Sequence, residues 1–111
     1  MIHKMNLWDD SFIAIKEGWK TIEMRLNDDK RRKIQTGDII KFTNTSTLEK
    51  MSCLVVKIYN YKTFNELYQN HSKVSIGYKE DEDAKPEDML TYYSIEDINK
   101  YGVLGIEIKA I

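Results

Sequence analysis

From Val103 to Ile108 the side chains alternate with a period of two: Val103, Gly105 and Glu107 oppose Leu104, Ile106 and Ile108. Such a segment presents two faces and buries at least one, which commits the chain to a sheet. Four more segments read the same way. These are His3–Trp8, with Met5 and Leu7 on one face, Thr21–Leu26, Ile39–Thr43, and Met51–Tyr59, rich in Val and Ile. Helical spacing intervenes at Phe12, Ile13, Ile15 and Lys16, where Asp9-Asp10-Ser11 supplies acceptors for a start and Gly18 a stop. Thr63–Asn70 predicts a second helix, and Ser94-Ile95-Glu96-Asp97 has the form of a capping box that opens a third, closed by Gly102. Pro86, followed by Glu87 and Asp88, suits another first turn. Asn27–Lys33 predicts one or two polar helical turns, and Ser72–Ile76 fits no single element. Nothing repeats, and no linker divides the chain. The expectation is one α+β domain over residues 1–111: a small, mixed, mostly antiparallel β-barrel or curled sheet of five to six strands with short helices inserted.

The charge balance limits the partners. Seventeen Lys and Arg face 18 Asp and Glu, a formal charge of −1, so bulk electrostatics do not hold nucleic acid and a local patch must. Cys53 is alone, which excludes an internal disulfide and a Cys-based zinc cluster, and it reads as a buried apolar residue. His3 and His71 lack ligand spacing, so no metal is expected. Nor does any Gly-rich phosphate loop or nucleophile elbow point to a cofactor. Without a long apolar run or an apolar signal core, the reading is a soluble cytoplasmic protein with no membrane contact. Charge is unevenly placed: Lys20 to Lys41 holds seven basic and four acidic residues, Lys79 to Lys100 three basic and eight acidic. These are two solvated segments, or the acidic loop around Glu80–Asp83 receives a protein partner.

The stretch Gly18-Trp19-Lys20-Thr21-Ile22-Glu23-Met24-Arg25 carries the most chemistry. Glycine turns the chain from helix to strand, and Thr21, Glu23 and Arg25 then share one face while Ile22 and Met24 pack inward. The stem of Lys20 reaches toward the same face, which brings a cation, a carboxylate and a guanidinium together. Arg25 offers a planar fork for phosphate, carboxylate or a base edge, and Glu23 accepts from a ligand amino group. The plainer reading is a solvated salt-bridge ladder on an outer strand face.

The pattern Gly18-x-Lys20-x-x-Glu23-x-Arg25 resembles the hallmark of the ASCH domain, a branch of the PUA-like superfamily. Thr36-Gly37-Asp38-Ile39-Ile40-Lys41-Phe42 is similar to that family's turn into its second barrel strand. Tyr92-Tyr93-Ser94 through Tyr101-Gly102-Val103-Leu104-Gly105-Ile106 resembles the closing segment of its small bacterial members. The resemblance implies a PUA-like barrel with a cleft beside the hallmark strand, and binding of RNA or a nucleotide. It also implies an alternative, hydrolysis of acylated nucleosides such as acetylated cytidine. There Lys20 is the base, and Glu23, standing where those enzymes carry a threonine nucleophile, activates water or orients the amide. Glu80 and Glu82 fall in the region of the third site residue.

Other residues hold two readings each. Trp19 packs against the barrel end or stacks on a base. Tyr78 and Tyr93 are core aromatics or, as the resemblance implies, line the cleft. Asn44 caps a turn or reads a ligand edge. Lys30, Arg31 and Arg32 form a solvated helix end or contact phosphates.

Overall fold

The computed structural model describes residues 1–111. Five strands form one sheet in the order β1-β3-β4-β5-β2: β1 (Ile2–Leu7), β2 (Ile22–Leu26), β3 (Ile39–Asn44), β4 (Lys50–Tyr61) and β5 (Val103–Ala110). Only β1 and β3 run parallel. All five strands read from alternation are present, so the α+β class and the curled, mostly antiparallel sheet hold. The sheet is a half-barrel whose free edges are β1 and β2. A bulge between Val55 and Lys57 leaves Val56 unpaired and bends β4, the longest strand.

Three α-helices decorate the sheet: α1 (Asp9–Glu17), α2 (Phe64–Asn70) and α3 (Ile95–Tyr101), with short 3-10 turns at Arg31–Lys33 and Pro86–Thr91. Ser94 Oγ accepts from the amide of Asp97 and Thr63 Oγ1 from that of Glu66, so both helices start as their capping residues require. Gly18 takes the left-handed conformation (φ 89°), and its amide bonds the carbonyls of Ala14 and Ile15. The start of α1 departs from expectation. Trp8 occupies the cap position with no side-chain bond. Asp10 alone of the three acceptors meets a first-turn amide, that of Ser11 at 2.9 Å, while Asp9 accepts from Asn44 and Ser11 from Lys20.

The sheet is covered on both faces. On the inner face Met5, Leu7, Ile40, Phe42, Cys53, Val55, Leu104, Ile106 and Ile108 pack with Phe12 and Ile15 of α1. On the outer face Ile22, Leu26 and Val103 pack with Phe64, Leu67, Ile76, Met89 and Ile98 from the later helices and turns. No helix is long and apolar enough to cross a membrane.

Candidate functional site

Residues directly opposite in an antiparallel pair share a face. Glu23 pairs with Ile106 and Arg25 with Leu104, both members of the inner core, whereas Ile22, Met24 and Leu26 pair with Glu107, Gly105 and Val103. The expected orientation of β2 is therefore reversed. The charged residues point into the half-barrel, and Ile22 and Leu26 pack outward beneath the later helices.

The burial follows from that orientation. Lys20 and Glu23 are 7% and 5% exposed. Lys20 Nζ lies 2.9 Å from Glu23 Oε1, and Arg25 Nε donates to Glu23 Oε2 at 2.7 Å. Arg25 Nη2 also reaches the carbonyl of Asn6 at 2.8 Å, so one guanidinium bridges the two free edges of the sheet. Burial alone raises the pKa of the Glu23 carboxyl. The charges and hydrogen bonds of Lys20 and Arg25 outweigh it and hold the group below its ordinary value. Burial likewise opposes the charge of Arg25, and Glu23, with Tyr93 and Asp28, more than restores it.

The approach of Lys20 depends on a segment that local pattern left open. Thr21 and Ile22 both donate to the carbonyl of Ser75, at 3.0 and 2.9 Å, which docks the turn at 73–77 on the start of β2. Gly77 (φ 112°) then lies across the lysine stem. A Cβ there would stand 3.2 Å from Lys20 Cδ and 3.4 Å from Cε. Lys20 Nζ, so guided, also donates to Ser11 Oγ at 3.3 Å.

These groups form the floor of a cleft of about 530 Å³, within the range of small-molecule pockets. Lys20, Glu23, Arg25, Tyr78 and Tyr93 all line it. Tyr93 stacks on Phe64, with centroids 6.1 Å apart. The Tyr78 hydroxyl bonds Asp88 Oδ2 at 2.7 Å and the Tyr68 hydroxyl at 2.9 Å; burial first, then these partners, push its pKa far up. Of the two acidic-loop candidates, Glu82 lines the cleft and Glu80 does not.

Other predicted residues stand outside the lining. Trp19 donates from its indole to Glu17 at 3.2 Å. Asn44 is buried and turned away from any ligand: it donates to Asp9 at 2.8 Å and accepts from the amides of Ser46 and Thr47, the turn-capping role. Arg31 pairs with Asp28 at 2.6 Å and Arg32 with Asp29 at 3.6 Å, while Lys30 is exposed; none of the three lines the cleft. The pattern reading missed Ser11, Asp10, Gly77 and the edge-to-face pair Trp8–Tyr92, with centroids 5.3 Å apart, all at the cleft. The one available signal was position, since Trp8, Asp10 and Ser11 follow the end of β1 directly, on the same sheet edge that faces β2.

The chain matches the family model for the ASCH domain over residues 5–111. Among solved structures it is similar to the hypothetical protein PH0355, at 32% identity over the whole of both chains and a TM-score of 0.85. It is also similar to the protein PF0455 from Pyrococcus furiosus, at 29% identity over 100% of this chain and 98% of that one, with a TM-score of 0.78. The S128A mutant of ZmASCH from Zymomonas mobilis shares the fold, at 15% identity over 99% of this chain and 70% of that one, with a TM-score of 0.62. No curated protein matches.

Proposed function

The chain belongs to the ASCH domain family, and from that premise we propose that its cleft binds a nucleotide or a short single-stranded RNA through one inserted base. The observation that carries this reading is the buried chain Lys20–Glu23–Arg25 at the floor of an aromatic-lined cleft. Arg25 Nη1 has no protein partner and Lys20 Nζ keeps one donor beyond its two bonds, so both cations retain donors for a base edge or a sugar. Aromatic side chains beside them supply stacking area. Arg25→Ala removes that open Nη1 donor and is expected to weaken binding of nucleosides and short RNAs by roughly 10- to 150-fold, the worth of a hydrogen bond from a charged group. Unchanged affinity overturns the assignment.

A second reading, hydrolysis of an acylated nucleoside, is supported by Ser11 Oγ, 3.3 Å from Lys20 Nζ at the cleft. It supplies the hydroxyl that the motif lacks at position 23. In this reading Lys20 is the base and Glu23 orients the amide. Acetate released from acetylated cytidine, and lost in Lys20→Ala, is its expected signature; no release excludes it.

A further inference from the structure

Charge is distributed unequally between the floor and the rim of this cleft. Four carboxylates line it, Asp10, Glu23, Glu82 and Asp88, against two cations, Lys20 and Arg25. Glu23 is paired to both cations. Asp10, Glu82 and Asp88 form no ion pair. The neighbouring ammonium of Lys73 is bound to the carbonyl oxygens of Glu80 and Glu82, not to a carboxylate. The cleft lining therefore carries net negative charge, with three carboxylates outside any ion pair, and the field favours a cation at its mouth.

Two aromatic rings stand in that field. Trp8 and Tyr92 are 58% and 53% exposed although they pack edge to face, so ring surface is left open at the mouth. Asp10 and Asp88 line the same cleft as these two rings. An aromatic face attracts a cation through its quadrupole and a planar ring through stacking. A ligand that is both planar and positively charged gains from the rings and from the rim carboxylates, and its charge is placed by them away from Lys20 and Arg25 on the floor.

We propose that the cleft selects a positively charged, N-methylated nucleobase over the neutral base of the same size. This rests on the base-binding reading above and adds the charge of the base to it. A base methylated on a ring nitrogen is a flat cation. Its ring stacks at Trp8 and Tyr92, its charge faces Asp10 and Asp88, and an acceptor atom on the edge away from the charge meets Lys20 and Arg25 below.

The test uses two isomers, 1-methyladenosine, a cation, and N6-methyladenosine, which is neutral. Both are titrated by calorimetry at about pH 6, where ordinary Asp and Glu side chains stay ionised. Each carries one methyl group, on N1 in the cation and on N6 in the neutral isomer, so the base edge differs as well as the charge, and the double carboxylate variant isolates the charge. The cation is expected to bind at least about fivefold tighter. That ratio is expected to fall toward one in Asp10→Asn/Asp88→Asn, whose amides keep the local acceptors and whose amide spectrum reports the fold. Equal affinities, a preference for the neutral isomer, or a ratio the double variant leaves intact each overturn the proposal while base binding stands. Binding of neither nucleoside, nor of short RNA, overturns base binding itself and this inference with it.

Discussion

Replacing Glu23 by glutamine keeps the shape of the side chain and removes the one negative charge between two buried cations. Lys20 and Arg25 have side chains 7% and 14% exposed, and each stands within 3 Å of a Glu23 oxygen. Neither cation has another carboxylate within ion-pair distance. Breaking a buried ion pair by neutralising one partner costs about 3–5 kcal/mol, because the remaining charge stays desolvated. Here two such charges are left, so the upper half of that range applies. Typical domains have only ~5–15 kcal/mol of stability, so the loss is a large share. In urea, with a slope of about 2 kcal/mol/M for a chain this size, the midpoint falls by roughly 2 M. The pH dependence gives a second signature. Glu23 is held below its ordinary value, so its contribution is fully present above the unfolded carboxyl pKa of about 4.3. The contribution is lost as pH falls through the lower folded value. Below about pH 4 the wild-type and Glu23→Gln curves therefore converge. A midpoint shift equivalent to less than about 1 kcal/mol at neutral pH, the scale of an exposed pair, refutes the buried-cluster account.

Three further outcomes follow from the same geometry. Gly77→Ala puts a Cβ against the Lys20 stem at a positive φ; it is expected to cost about 1–2 kcal/mol in urea unfolding and to weaken ligand binding, whereas a neutral effect removes Gly77 from the site. Trp8→Ala removes an exposed stacking surface; it is expected to lower base affinity by ~1–3 kcal/mol while changing stability by under about 1 kcal/mol, and unchanged affinity excludes stacking at Trp8. The Asp38 carboxyl, held down to about 2 first by the His3 ring and then by the Gln35 amide, is expected to titrate near that value by NMR and to rise toward the ordinary range in His3→Ala.

Alternation located the five strands because a period of two is a local property of the chain, as at Leu104, Ile106 and Ile108. Gly18 and Ser94 were legible for the same reason, since each cap acts within four residues. What alternation cannot supply is which face of β2 is inside. Ile22 and Leu26 are apolar and buried, yet they pack beneath residues 64–103, while Glu23 and Arg25 face the barrel interior. Two apolar layers satisfy the same pattern, and only long-range pairing chooses between them. Lys20, Glu23 and Arg25 were visible as a set from their spacing. Gly77 was not, because its role comes from Ser75 docking on β2, more than 50 residues away in sequence. Trp8 and Trp19 are alike as residues; β1 delivers the first to the cleft, and the helix end turns the second toward Glu17. Asn44 shows a related limit, for its composition suits a turn or a ligand edge equally and its partner Asp9 lies 35 residues away.

The central claim is that the cleft floored by Lys20, Glu23 and Arg25 binds a base. It is tested most directly by amide NMR spectra recorded while nucleosides and short single-stranded RNAs are added. The account predicts saturable shifts confined to Trp8–Ser11, Lys20–Arg25, Gly77–Tyr78, Asp88 and Tyr92–Tyr93, and absent in Arg25→Ala. Shifts that centre instead on Lys30–Arg32, or spectra that do not move at all, contradict it.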